Sequence, residues 1–299
     1  MQVRTGTARS GELDIYYEDM GDENHPAVLL IMGLGAQLLL WRTEFCEKLV
    51  AQGLRVIRFD NRDVGLSSKL TGRHVGAPLL PRMVRSFFGL PSPAVYTLED
   101  MADDAAALLD HLRIDSAHIV GASMGGMIAQ VFAARHKPRT RTLAVIFSSN
   151  NQPVLPPPAP RHLLAILQRP ENASREAVIA NAIRVSKIIG SPGYPAPEDR
   201  LRAEAIEAYE RSYYPAGVGR HFAAILGSGS LRRYDRDIEA PTVVIHGKED
   251  KLMRPFGGRA VARAIKGARF VLYDGMAHDL PRELWDDIIG ELKTTFAAA

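Results

Sequence analysis

Three residues carry the strongest chemical signal in this chain of 299 residues. Ser123 stands at the centre of Gly121-Ala122-Ser123-Met124-Gly125, a G-x-S-x-G pattern. Asp250 closes His246-Gly247-Lys248-Glu249-Asp250, and His278 follows Gly275-Met276-Ala277. A serine hydroxyl is a weak nucleophile at neutral pH until a base takes its proton. A histidine supplies that base, and a carboxylate holds its tautomer and stabilises the imidazolium. The chain order Ser, Asp, His suits a nucleophile placed on a sharp strand-to-helix turn. The pattern alone is weak, since about one chain in ten of this length shows it by chance. Its context raises it: the apolar run His118–Gly121 precedes the serine, and a helical period opens at Met124.

Acyl transfer through a serine also needs two donors aimed at the developing oxyanion. The N–H of Met124, next after the serine, is one. The other is expected from the turn Met32-Gly33-Leu34-Gly35, with Leu34 as donor. Gly33, Gly35 and Trp41 are expected against the substrate pocket, with filling of the core an equal reading for Trp41. Glu249, Asp274 and Asp279 are rivals to Asp250, but Asp250 best fits the position just beyond a strand. His25, His74, His111, His136, His162 and His221 have no supporting context and read as surface or packing residues. His118 and His246 sit at strand ends and read as partners of backbone groups. Asp60, opening Asp60-Asn61-Arg62-Asp63-Val64-Gly65-Leu66-Ser67, reads as a structural turn tied by an Asp–Arg pair.

The elements that must position these residues follow from hydrophobic patterning. Ala27–Met32, Arg55–Phe59, His118–Gly121, Thr142–Ser148, Thr242–His246 and Arg269–Tyr273 are short apolar runs bounded by turn residues. Such runs read as strands buried on both faces. Helical periods lie between them at Glu44–Gln52, Leu98–Leu112, Met124–Arg135, Phe256–Ile265 and Arg282–Phe296. Alternation of this kind predicts an α/β fold, a mostly parallel sheet with helices on both faces. The N-terminus alternates like two strands around Ser10-Gly11.

Two stretches break the alternation. Residues 71–97 are rich in Gly and Pro. Within them, residues 79–90 interleave apolar side chains with arginines, suiting either a lipid surface or packing under a cap, the favoured reading. Residues 150–238 open on a proline run, Pro153 to Pro160, which stiffens a linker. Helical periods follow at Arg161–Gln168, Ser174–Ile189, Glu198–Tyr213 and Val218–Leu226. The expected organisation is a core of residues 1–149 and 239–299 with a helical cap at 150–238. Leu163, Leu164, Ile166, Leu167, Ile179, Ile183, Ile188 and Ile189 are expected mainly inside the cap.

Composition narrows the function classes. The chain is 46% hydrophobic and 24% charged, which excludes a disordered polymer. Its 37 basic and 34 acidic residues give a net charge of +3, too mild for nucleic acid. The surplus lies in residues 150–238; it reads mainly as a solvated arginine-rich helical surface and is compatible with a weak peripheral contact with acidic lipids or with anionic substrates. Cys46 is the single cysteine, so no intrachain disulfide forms. No run approaches the roughly 18 apolar residues of a membrane span. No apolar leader opens the chain, so a cytoplasmic protein is expected. No His, Cys and carboxylate cluster has zinc spacing, and no metal or cofactor is expected. A dinucleotide site is a poor fit: Gly33-x-Gly35 precedes Asp60 by about the right spacing, but Leu38 occupies the third glycine position.

With these motifs in place the chain resembles the α/β-hydrolase fold family over nearly its whole length. The Asp60–Ser67 loop and Val185-Ser186-Lys187 resemble the aclacinomycin methylesterase-like group. Met32–Trp41 and Gly121–Met127 resemble the actinobacterial LipG-type esterase/lipase. The resemblance implies hydrolysis of carboxylic esters, with small-molecule acyl esters or lipids as substrates. Phospholipase or thioesterase activity is the alternative, and a slow-turnover ligand-binding protein the further one. Two positions depart from many relatives: Met32 stands where they have His, and Asp63 where they have Gly.

Overall fold

The computed structural model describes residues 2–168 and 170–299. Its eight described strands form one sheet in the order β1-β2-β4-β3-β5-β6-β7-β8. These are β1 Val3–Ser10, β2 Leu13–Met20, β3 Ala27–Ile31, β4 Arg55–Phe59, β5 Ala117–Ala122, β6 Thr140–Ile146, β7 Thr242–Gly247 and β8 Arg269–Tyr273. The β1–β2 and β2–β4 pairs are antiparallel, and every other pair is parallel.

Every residue of β3, β4, β5 and β7 is buried, which explains their mostly apolar runs; the two arginines of β4, Arg55 and Arg58, are buried in pairs with Asp19 and Glu18. Strand side chains alternate between faces, and the core divides accordingly. Leu29, Ile31, Ile57, Ile119, Leu143 and Val244 join one apolar cluster. Their neighbours Val28, Leu30, Val56, Val120, Ala144 and Val243 join the other. Helices α3 (Leu98–His111), α4 (Met124–Arg135) and α10 (Pro255–Ala264) supply Leu108, Phe132 and Val261 to the first. Helices α1 (Thr43–Val50) and α11 (Trp285–Phe296) supply Phe45 and Ile288 to the second. The sheet is therefore covered on both faces, as the alternation predicts. Helix α3 begins at a capping box, in which the Thr97 hydroxyl accepts from the Asp100 N–H and the Asp100 carboxylate accepts from the Thr97 N–H.

Two helices escape the sequence reading. Within the Gly- and Pro-rich stretch lies α2, Leu79–Phe87. Pro81 sits in its first turn, where a missing N–H breaks no intrahelical bond. This stretch packs inward on one face only. Arg82 is buried and donates to the Pro93 carbonyl at 3.0 Å, whereas Leu80 is 72% and Val84 51% exposed. The second is α9, Arg232–Asp237, too short to show a period. It follows α5 (Pro160–Leu167), α6 (Arg175–Ile189), α7 (Glu198–Arg211) and α8 (Pro215–Ser228), all between β6 and β7.

Candidate active site

Ser123 sits between β5 and α4 with φ 56° and ψ −122°. That conformation is costly for a side-chain-bearing residue, and the surroundings hold it. The Ser123 N–H donates to the Ile146 carbonyl at 2.9 Å. Its carbonyl accepts from the Ser148 hydroxyl at 2.7 Å and from the Gly126 N–H at 2.9 Å. Gly125 is required by close approach, because a Cβ there would run into the Ile31 and Met32 carbonyls.

The structure brings Ser123, His278 and Asp250 together from three separate loops. Ser123 Oγ lies 3.0 Å from His278 Nε2, and His278 Nδ1 lies 2.7 Å from Asp250 Oδ2. A carboxylate can only accept, so Nδ1 carries the proton and Nε2 is left to accept from the serine. The other Asp250 oxygen accepts from the Leu252 and Met253 N–H groups at 2.9 and 2.8 Å. Burial opposes ionisation of Asp250, but His278 and His246 beside it hold its carboxyl well below the usual carboxylate range.

The rival acids make no hydrogen bond to the His278 ring among the described residues. Asp274 is exposed and pairs with Lys248, and Asp279 accepts from the Ser191 hydroxyl. Glu249 lines the cavity above the site. His246 directs Nε2 at the Met253 carbonyl, 2.5 Å away, as a strand-end partner of backbone. His118 instead meets a side chain, the Thr142 hydroxyl at 2.9 Å, and stacks on Phe296.

Met124 opens α4, so its N–H has no acceptor within the helix. The Leu34 N–H lies in the turn beside it. Gly33 packs directly on the serine: a Cβ there would stand 2.9 Å from Ser123 Cβ. Gly33, Leu34 and Met124 line a cavity of about 760 Å³ that also contains Ser123 and His278. Its walls include Met127, Phe147, Leu163, Ile166, Phe222 and Ile225.

Trp41 and Gly35 depart from expectation. Trp41 is fully buried, stacked on Phe45 in the core, and lies off the cavity wall. Gly35 also lies off the wall, with φ +66°, covered by Val218 of α8. The apolar residues of residues 150–238 divide. Ile179 and Ile183 are buried among helices, Leu163, Ile166, Ile188 and Ile189 line the cavity, and Leu164 is 64% exposed.

Several residues that brace the site carry no sequence signal. Asn61 donates to the Met32 carbonyl at 2.8 Å, holding the strand end before the Leu34 turn. Ser191 accepts from the Ala277 N–H at 2.8 Å, and the His278 N–H donates to the Ile189 carbonyl at 3.0 Å. His221, read from the sequence as surface or packing, is fully buried with both ring nitrogens bonded. His162 faces the cavity with Nδ1 lacking a partner among the described residues. The Asp60 turn, expected to be tied by an Asp–Arg pair, is held by Arg211 at 2.7 Å, a partner the sequence did not name, and Asp60 also accepts from the Leu38 and Leu66 N–H groups. Asp63 has φ 68° and its buried carboxylate accepts two bonds from Arg220.

Among the described residues no group of three or more His, Cys, Asp or Glu is arranged to hold a metal ion. No described helix is long and apolar enough to cross a membrane.

A model of the alpha/beta hydrolase fold matches residues 26–281. The chain is 28% identical over 290 residues to a rhodomycin D methylesterase of Streptomyces peucetius, covering 90% of each. It is 22% identical over 289 residues to a bifunctional esterase/perhydrolase of Acinetobacter calcoaceticus, covering 92% of each. Among solved structures, a meta-cleavage product hydrolase from Pseudomonas fluorescens superposes with a TM-score of 0.72 at 18% identity. That match covers 98% of this chain and 97% of the other, and it speaks to fold alone.

Proposed function

Because the chain belongs to the alpha/beta hydrolase fold family, we propose that it is a serine carboxylic ester hydrolase working through Ser123, His278 and Asp250. The observation that carries the reading is the unbroken relay from Ser123 Oγ through His278 to Asp250, at 3.0 and 2.7 Å. Relatives of this chain are esterases and other hydrolases, which supports ester hydrolysis in general.

In the first step Ser123 Oγ bonds to the ester carbonyl carbon while its proton passes to His278 Nε2. The carbonyl electrons move onto oxygen, and the Leu34 and Met124 N–H groups stabilise that oxyanion. Collapse expels the alcohol, which takes the proton from His278. A water then repeats the cycle, His278 again acting as base, and releases the acid with Ser123 restored.

Residues 150–238 act as a cap over the core formed by residues 1–149 and 239–299. Support comes from the cavity wall, to which α5, α6, α7 and α8 contribute Ile166, Ile188, Leu201 and Phe222. The apolar wall suits a bulky acyl chain or ring system, and a lipid acyl ester or thioester fits the same cavity. A weak contact with a lipid surface forms part of this reading. It rests on α2, where Met83 and Phe87 face the cavity while Leu80 and Val84 face outward.

The test is hydrolysis of p-nitrophenyl esters from acetate to palmitate, with an acyl thioester and a methyl ester of a polycyclic acid, by wild type and Ser123→Ala. Turnover lost throughout in Ser123→Ala supports the reading. Equal activity in both proteins overturns it, and silence on every ester moves the choice to a ligand-binding role. Flotation with neutral and acidic liposomes decides the lipid contact, which falls if the protein stays in the aqueous fraction with both.

A further inference from the structure

His221 lies on α8, 186 positions from Gly35, and is fully buried. Its Nδ1 is 3.1 Å from the Gly35 nitrogen, and its Nε2 is 2.7 Å from the Arg62 carbonyl oxygen. Both contacts are satisfied in one protonation state only. The Gly35 N–H donates, so Nδ1 must be bare; the Arg62 carbonyl accepts, so Nε2 must carry the proton. The ring is a neutral Nε2–H imidazole joining two loops.

The same face of α8 closes on these loops through Val218, one turn earlier. A Cβ on Gly35 would lie 2.8 Å from a Val218 methyl. Gly217 packs on the Asp63 backbone, and Arg220 grips the Asp63 carboxylate. The Gly35 N–H is thus taken by His221 and turned from the cavity. The neighbouring Leu34 N–H remains as the donor of this turn.

We propose that His221 is a positioning residue of the oxyanion hole: by locking the Gly33–Gly35 turn it makes helix α8, and not the core alone, set the direction of the Leu34 N–H. The inference rests on the Ser123 reading. An oxyanion donor acts only if it is aimed before charge develops, because reorganising it during the reaction raises the barrier. Burial pushes the His221 pKa down to about 4, so the ring stays neutral where an ester hydrolase would work. The groups around it are the Asp63 carboxylate, the Arg220 and Arg62 side chains and the Tyr96 ring. Asp63 and Arg220 neutralise each other, which leaves little field to draw a second proton onto the imidazole.

The test compares His221→Leu, which removes both bonds, with His221→Gln, whose amide keeps one acceptor and one donor. The readouts are kcat and KM on a p-nitrophenyl ester, and the inhibition constant of a boronic acid whose tetrahedral serine adduct places an oxygen in the hole. Expected for His221→Leu is a kcat loss of about 10- to 100-fold, with a parallel loss of boronate affinity and KM within about threefold. His221→Gln is expected to recover most of both. A folded His221→Leu protein with wild-type kcat overturns the proposal, and so does equal loss in the two variants.

Nitrogen NMR of histidine-labelled wild type keeps the proposal testable if the leucine variant does not fold. The His221 signals should show the Nε2–H tautomer from about pH 5.5 to about pH 9 without titrating. An Nδ1–H tautomer, or titration near neutrality, overturns it. Ser123→Ala separates the two readings: activity surviving that change removes the active-site assignment itself. Activity lost in Ser123→Ala but intact in folded His221→Leu removes only the role of His221.

Discussion

Gly33 lies flat against Ser123, with no room for a side chain between them. A Cβ at residue 33 would stand 2.9 Å from Ser123 Cβ and 3.4 Å from Oγ. Ser123 is braced by Ile146 and Ser148, so the Leu34 turn must yield instead. A displacement of about 1 Å in a reacting constellation costs about 100-fold. Gly33→Ala is therefore expected to lower kcat by about that factor while leaving the fold intact. Steady-state kinetics beside a thermal melt measures both, and unchanged kcat would show that the turn adapts.

Asp250→Asn should leave the fold in place and lower kcat about 10,000-fold, because an amide can hold the wrong imidazole tautomer. KM should hardly move. The pH dependence carries a definite sign. The folded-state pKa of Asp250 is depressed, so its contribution to stability is present above the unfolded carboxylate value of about 3.9. It is lost as pH falls below that value towards the folded pKa. Melting temperatures of wild type should fall more steeply below about pH 4 than those of Asp250→Asn. Parallel curves would contradict the shift.

Asp235 has the opposite sign. It is fully buried on α9, with one oxygen accepting from Asn150 at 2.7 Å and the other without a partner among the described residues. Burial pushes its pKa up to about 7. The protonated form is favoured in the folded protein, so its stability is greatest below the unfolded pKa and declines as pH rises through about 7. Asp235→Asn should match wild type near pH 4 and exceed it at pH 8 by about 4 kcal/mol. Urea unfolding at the two pH values is the check; a constant difference would exclude the titration.

The Asp63–Arg220 pair joins the core to α8, with bonds of 2.7 and 2.8 Å. Asp63 is fully buried, and burial opposes its ionisation, yet the Arg220 bonds and the Leu70 and Tyr96 donors hold its pKa below the ordinary value. Removing one partner of such a pair strands the other, at a cost of about 3–5 kcal/mol. Asp63→Gly would relieve the φ of 68° but strand Arg220. It should destabilise despite the relieved backbone, and adding Arg220→Met should restore part of the loss. A double-mutant cycle by urea unfolding measures the coupling, and additive changes would deny it.

Much of this molecule is legible before any coordinate. Strands β3, β4, β5, β6 and β7 are buried on both faces except at Arg141, so most of their residues are apolar, while Arg55 and Arg58 are buried in pairs with Asp19 and Glu18. Ser123, Asp250 and His278 were also legible, because each follows a strand end where a short motif records a local turn. Trp41 is not placed by the sequence, which leaves pocket wall and core as equal readings. An indole near a cavity loop has the same sequence signature whether it walls the pocket or fills the core, and here Phe45 stacks on it.

The braces around the site belong to tertiary structure alone. His221 meets Gly35 across 186 positions, Arg220 meets Asp63 across 157 and Ser191 meets Ala277 across 86. None of these pairs has a spacing that repeats or a neighbour that announces it. Sequence by itself determined the periodicities, the turns and the order of the reactive residues, because those are consequences of local backbone geometry. Which buried polar groups meet was decided only when the helices between β6 and β7 packed onto the core, because a hydrogen bond out of water depends on where its partner is carried and not on what precedes it in the chain.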